Sequence, residues 1–206
     1  MTQEQIIAQT VDNKIVSVGG DRDVKNSTFG LLHLKGSTVT KSSIKISWSK
    51  VKGANTYVVY GNKCGKKYQR IKIASGSSYT QSNLKKGTDY KYMVFALDGE
   101  NKPVAYSKTV YITTSGGKKV NPSGVKVKSS KKLKLKTKKS SKIKANYTVR
   151  KKKKASVHRY LSYESSNKKV ATVSKSGKVT AKHKGKCTIY IYAQNGAYSK
   201  VQVTVK

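Results

Sequence analysis

The segment from Tyr163 to Lys206 constrains the fold most tightly. It contains Val170-Ala171-Thr172-Val173, Lys178-Val179-Thr180-Ala181, Gly185-Lys186-Cys187-Thr188-Ile189-Tyr190-Ile191 and Val201-Gln202-Val203-Thr204-Val205. Apolar and polar residues alternate within the runs, β-branched residues are frequent, and Ser, Asn or Gly closes each one. A period of two with such punctuation marks half-buried antiparallel strands. Successive side chains of a strand point to opposite faces, so Ala171 and Val173 are expected to face Val179 and Ala181. Cys187, Ile189 and Ile191 supply a third inward row, and Val201, Val203 and Val205 a fourth. Four rows would make one face of a sandwich core, which is a packing feature and not an active site.

The same segment carries a Ser165-Ser166-Asn167 turn, a Val170-Ala171-x-Val173 strand, a Gly177-x-Val179-x-Ala181 hairpin and a Gly185-x-x-x-Ile189 strand, in this order. It resembles the group 2 bacterial immunoglobulin-like domain, with Tyr163 where that family usually has Trp. The resemblance implies a β-sandwich module of bacterial surface proteins, often repeated in adhesins. It implies no chemistry.

Upstream, residues 29–115 read as seven short strands: 29–35, 44–48, 56–60, 68–74, 78–80, 90–97 and 107–113. Short strands at regular spacing argue for a second sandwich. The alternation Ile44-x-Ile46-x-Trp48 places the single tryptophan in its core. Leu84-Lys85-Lys86-Gly87-Thr88-Asp89-Tyr90 has the spacing of a tyrosine corner, in which the phenol bonds back to the backbone. With Trp48, Gly53-Ala54 and Tyr57, these residues resemble a fibronectin type III domain, with Lys86 where that family usually has Pro. No Arg-Gly-Asp tripeptide is present, so integrin recognition is not implied. The expected fold class is all-β, as two tandem sandwiches. Its parts are a flexible leader at 1–28, a fibronectin type III-like sandwich at 29–115, a linker at 116–121 and a group 2 bacterial Ig-like sandwich at 122–206. In the leader, Ile6-Ile7 and Ile15-Val16 are the apolar pairs. The linker rests on Ser115-Gly116-Gly117-Lys118-Lys119, followed by Asn121-Pro122.

Charge limits the partners. The 206 residues hold 45 Lys and Arg against 8 Asp and Glu, a net charge of +37. Residues 118–206 carry 27 of these basic groups and only Glu164 as an acid. Outward positions of the strands there are mostly Lys, which also discourages edge-to-edge association. The densest run, Arg150-Lys151-Lys152-Lys153-Lys154, is expected at a hairpin tip, between a strand ending near Val149 and one running from Val157 to Tyr163. Arg150, Lys151, Lys152, Lys153, Lys154 and Arg159 are the candidate polyanion-binding residues. The expected partner is an anionic polysaccharide, teichoic acid or host glycan, together with other domains of a parent surface protein. The competing reading of the run is a solvated, solubilising turn. Lys outnumbers Arg, and a lysine is a point charge without the bidentate fork suited to base edges. Sequence-specific nucleic-acid recognition is therefore disfavoured, while nonspecific binding through phosphates and the 14 tyrosines stays open.

Catalysis has no visible constellation. His33, His158 and His183 share no motif with a Ser, Cys or Asp. Asp21-x-Asp23 is a close carboxylate pair but too little for a calcium or magnesium site, and no Cys/His cluster suggests zinc. No metal, cofactor or catalytic residue is expected. Cys187 alternates with Ile189 and should be buried, while Cys64 lies in a turn; two free thiols are expected. No apolar run approaches the roughly 20 residues that span a bilayer. Residues 1–10 lack a basic start and an apolar stretch, so they do not read as a signal peptide. The expected location is extracellular or cell wall-associated, with signal and anchor outside this chain. The expected function is a non-enzymatic surface or adhesion module that binds anionic polymers. The alternatives are accessory domains of a secreted enzyme, or nonspecific nucleic-acid binding.

Overall fold

The computed structural model describes residues 32–150 and 156–206. It divides into two compact units between Val120 and Asn121. The regular structure of the described residues is β-strand throughout. Among them, no helix is long and apolar enough to cross a membrane.

In the first unit, β1 (Leu34–Val39), β2 (Ile44–Trp48) and β5 (Ser78–Gln81) form one sheet in the order β1-β2-β5. The second sheet runs β4 (Gln69–Ala74), β3 (Thr56–Lys63), β6 (Asp89–Leu97), and β7 (Pro103–Tyr106) and β8 (Val110–Thr113) both pair with β6. The alternating apolar positions of both sheets meet in one core. Leu34, Ile44, Ile46 and Trp48 come from one side and Tyr57, Val59, Tyr92, Val94 and Ile112 from the other. Trp48 is 5% exposed, with its ring 5.7 Å from that of Tyr57.

Two strand expectations need correction. The first strand begins at Leu34, with Leu32 and His33 outside it, and 29–31, with the leader expected at 1–28, lie outside the described residues. The strand expected over 107–113 begins only at Val110, as β8, and a further strand, β7, precedes it. Ser107 separates them: its N–H donates to the Val94 carbonyl at 2.8 Å, and its Oγ accepts from the Val94 N–H at 2.9 Å. The hydroxyl replaces a ladder carbonyl, so regular pairing stops there.

The tyrosine corner forms as its spacing predicts. The Lys85 N–H donates to the Tyr90 phenol oxygen at 3.0 Å. Thr114 Oγ1 tightens the same corner, donating to the Lys85 carbonyl at 2.6 Å and accepting from the Thr88 N–H at 2.9 Å. Gly87, at φ +61°, passes so close to Gly117 that a Cβ would lie 2.9 Å from the Gly117 Cα.

The second unit has three sheets around one core. β9 (Gly124–Val127) pairs with β12 (Ala145–Thr148). β11 (Ser140–Lys142), β15 (Lys178–Ala181) and β14 (Ala171–Val173) form a three-stranded sheet. β10 (Lys132–Leu135), β17 (Tyr198–Val205), β16 (Gly185–Tyr192) and β13 (Ser162–Ser165) form a four-stranded one. The expected facing pairs occur, with Ala171 opposite Ala181 and Val173 opposite Val179. Cys187 stands opposite Val203 and Ile189 opposite Val201. The four rows do not share one face, however: two belong to β14 and β15, and two to β16 and β17, across the core. The change of sheet occurs after Ala181, where the Lys182 and His183 N–H groups donate to the Val170 carbonyl at 2.8 and 3.3 Å and turn the chain away from β15. One pairing also departs from the antiparallel expectation, since β10 lies parallel to β17.

The Ser165-Ser166-Asn167 turn is held by its own side chains. Ser165 Oγ accepts from the Asn167 N–H at 3.2 Å, Asn167 Oδ1 from the Lys169 N–H at 3.0 Å, and Ser166 Oγ from the Thr188 N–H at 2.9 Å. Tyr163, standing where the family has Trp, packs partly buried against the core.

Candidate functional site

Of the expected polyanion-binding residues, the structure describes Arg150 and Arg159. Arg150 follows β12 and is exposed, and Arg159 is exposed. Lys151, Lys152, Lys153 and Lys154 lie outside the described residues. The flanking strands do not form a hairpin, because β12 pairs with β9 while β13 pairs with β16. β12 and β13 thus belong to different sheets. The structure anchors Arg159 through its backbone, whose N–H donates to Gln194 Oε1 at 2.7 Å. Gln194 and Asn195 sit buried in the β16–β17 turn, and Asn195 Nδ2 also donates to the Pro122 carbonyl at 2.8 Å. The turn thus fixes where Arg159 leaves the sandwich. Tyr160 beside it is 85% exposed.

A second surface, missed as a unit in the sequence, lies on the outer face of the four-stranded sheet. The inward residues of β16 and β17 are Cys187, Ile189, Ile191, Val201, Val203 and Val205. Their neighbours point outward, and the register sets them in rows. Lys134, Thr204 and Lys186 share one row, and Lys132, Gln202 and Thr188 the next. Then come Lys200, Tyr190 and Glu164, followed by Tyr198, Tyr192 and Ser162. One end of the face is therefore basic and the other aromatic. The Tyr190 and Tyr198 rings are 5.9 Å apart at 57°, and Lys200 Nζ lies 5.6 Å from each ring centroid. The ammonium thus sits within cation–π range of two rings that themselves retain partial exposure. Glu164, the single acid of residues 118–206, stands in the same rows. Burial, joined by the negative field of Glu164, pushes the Tyr192 phenol up to about 12, against an opposing hydrogen bond with Ser162. Tyr192 therefore stays neutral at physiological pH. The signal for this face was present in Tyr190-x-Tyr192 and Tyr198-x-Lys200, the outward halves of strands whose inward halves were read as core.

Neither surface has the parts of a catalytic site. Among the described residues, no three His, Cys, Asp or Glu side chains gather to hold a metal. Cys187 is buried and Cys64 partly so, and neither forms a disulfide. Burial pushes the Cys187 thiol up, opposed by hydrogen bonds with the Ser165 side chain and the Ala171 backbone. Of the acids in the first unit, Asp89 is committed to Thr113 at 2.6 Å and to Lys119.

Comparison with known proteins agrees with this geometry. Residues 117–205 match the bacterial Ig-like domain (group 2) family. Chitinase 63 of Streptomyces plicatus is 36% identical over 84 residues, which are 39% of this chain and 13% of that protein. The poly(3-hydroxybutyrate) depolymerase of Ralstonia pickettii is 39% identical over 69 residues, 32% of this chain and 13% of that protein. The chain thus spans a small part of the curated relatives it matches. Among solved structures, FN3tt is 25% identical, covering 41% of this chain and 88% of its own, with a TM-score of 0.35. An Fn3-like protein from Clostridium thermocellum is 24% identical, covering 40% and 88%, also with a TM-score of 0.35. Residues 117–205 are thus similar to a group 2 bacterial Ig-like domain, and the all-β sandwich that precedes them is closed by the Tyr90 corner.

Proposed function

We propose that this chain is a non-catalytic accessory module of an extracellular, polymer-acting protein, and that its second unit binds the polymer. The observation that carries this reading is the outer face of the four-stranded sheet. It joins Lys132, Lys134, Lys186 and Lys200 to Tyr190, Tyr192 and Tyr198 on one rigid surface. The partner is an anionic polysaccharide, whether cell-wall teichoic acid or acidic host glycan. Lysines attract its charge over about 8 Å at physiological ionic strength, and partly exposed rings offer flat apolar contact to its repeat units. The charges of Arg150 to Lys154, with Arg159, add to the field of this half of the chain. Each exposed ion pair contributes about 0–1 kcal/mol, so affinity arises from the sum and should be graded with charge. Relatives named chitinase and depolymerase support attachment to an enzyme that works on a polymer, in preference to a free-standing adhesin, and they support an extracellular setting.

The same relatives favour a second reading, in which the tyrosines bind a neutral polymer and the lysines only solubilise. Binding of the full chain to immobilised heparin and to chitin, each across a salt series, separates the two. The first reading requires heparin retention that falls steeply with salt, weakens on replacing Lys132, Lys134, Lys186 and Lys200 with Ser, and exceeds chitin retention. Salt-insensitive retention on chitin, lost on replacing Tyr190 and Tyr198 with Ala, would establish the second.

A further inference from the structure

Three connections join the four-stranded and the three-stranded sheet of the second unit, and all three meet at one end of the sandwich. Residues 136–139 lead from β10 to β11, 166–170 from β13 to β14, and 182–184 from β15 to β16. Backbone hydrogen bonds hold them together. The Lys138 N–H donates to the Ala181 carbonyl at 3.1 Å, and the Ala181 N–H to the Lys139 carbonyl at 2.9 Å. On the other side, the Lys182 N–H donates to the Val170 carbonyl at 2.8 Å. Lys136, Lys138 and Lys139 in the first connection, Lys168 and Lys169 in the second, and Lys182 and Lys184 in the third are all exposed. They make up more than half of these connections, which contain no Asp, Glu or Arg. Glu164, the single acid of residues 118–206, stands opposite Tyr190, and Gly185 begins β16 at the lysine-rich end. At about 3.4 Å per residue, that separates the acid from this end by roughly 17 Å along the sheet.

The first connection is also strained. The Lys139 N–H closes a turn on the Lys136 carbonyl at 3.1 Å, with Lys138 at φ +67°. Gly or Asn suits that backbone better than a lysine does. Solubility does not need a lysine at a strained position, and strain of this kind gathers where a side chain is used. We propose that this end of the second unit is a further binding site, and that its ligand is a linear phosphate polymer. The site is separate from the tyrosine-bearing face and stands whether or not that face binds a glycan. An ammonium is a compact, strongly hydrated point charge that meets a phosphate oxygen from any direction, whereas the planar fork of Arg suits bidentate pairs. The one ring in the three connections is the imidazole of His183, so a sugar repeat finds no flat apolar contact like that of Tyr190 and Tyr198. A flexible chain with a charge on every repeat and no ring can reach the lysines of all three connections together. Its affinity is the sum of many weak, salt-screened contacts.

Titration of the full chain into fluorescently labelled long-chain inorganic polyphosphate, read by anisotropy, tests the proposal. Replacing Lys138, Lys139, Lys182 and Lys184 with Ser should weaken binding at least tenfold. Replacing Lys35, Lys45, Lys72 and Lys85 with Ser removes the same charge from the first unit and should weaken it less than threefold. Lys138→Gly suits the positive φ, so its thermal midpoint should be no lower than the parent's while its affinity falls about twofold. Equal losses in the two four-site variants would overturn the site, because net charge would then account for binding. Parent binding to poly-glutamate of matched charge as tight as to polyphosphate would overturn the phosphate class. Tighter parent binding to vesicles of equal parts phosphatidylcholine and phosphatidylglycerol, lost in the Lys138, Lys139, Lys182 and Lys184 variant, would replace the polymer with a membrane surface. Heparin retention reads the tyrosine-bearing face separately, so the failure of one site is distinguishable from the failure of the other.

Discussion

Single residues carry the turn geometry of this chain, and Gly177 shows the stakes. It closes the β14–β15 hairpin at φ +84°, and a Cβ there would lie 3.0 Å from both the Ile143 carbonyl and the Tyr163 ring. Replacement with Ala meets left-handed backbone strain and a backbone clash together, each worth on the order of 1–3 kcal/mol. Urea denaturation of Gly177→Ala should show a loss in that range. An unchanged midpoint would mean the hairpin relaxes freely. Titration at Tyr192 acts on the same unit. Its folded pKa, about 12, lies above the ordinary 10.0. The neutral phenol is therefore preferred on folding, and this contribution is complete below about pH 10 and disappears as pH rises toward 12. Burial shifts Cys187 and Tyr163 in the same direction. Urea midpoints should hold steady up to about pH 9 and fall above it, and Tyr192→Phe should flatten the decline above pH 10.

At the scale of strands, alternation was the legible signal, because one buried face fixes the parity of a whole run. The facing of Ala171 with Ala181 and of Val173 with Val179 could be read that way, as could the burial of Trp48 and the phenol bond of Tyr90. Which sheet a strand joins could not. Parity is identical for β14–β15 and β16–β17, and only the Val170 carbonyl drawing in Lys182 and His183 shows the change of sheet. The Arg150–Arg159 connection was misread for the same reason: two strands adjacent in sequence were assumed to pair. The candidate face was half legible, since Tyr190, Tyr192, Tyr198 and Lys200 were plainly outward, but their assembly depends on the β16–β17 register. Register also makes a prediction of its own. Lys142 stands directly opposite Lys178 across β11 and β15, both exposed. Opposed like charges destabilise a sheet, and an opposite pair contributes about 0.2–1 kcal/mol. Lys178→Glu should therefore raise the thermal midpoint at low salt, with the gain shrinking in 1 M salt. An equal gain at both salts would point to propensity instead of charge.

Across the whole molecule, charge separates the two units more sharply than fold does. Both are sandwiches, but 27 basic groups and one acid lie in residues 118–206, against 18 and seven in residues 1–117. The second unit therefore tolerates mutual repulsion of its lysines, a cost that is hard to understand as packing and simple to understand as attraction for a polyanion. Solubility alone would be served by lysines placed anywhere. Binding requires that those on the tyrosine-bearing face matter more than equal numbers elsewhere. The most direct measurement is the salt at which heparin releases two full-chain variants of equal net charge. One replaces Lys132, Lys134, Lys186 and Lys200 with Ser; the other does the same to Lys35, Lys45, Lys72 and Lys85, all exposed in the first unit. The first should elute at clearly lower salt than the parent and show a shallower dependence of log affinity on log salt, while the second stays close to the parent. Elution of both variants at the same salt would show that net charge alone governs retention and that the face is not a binding site.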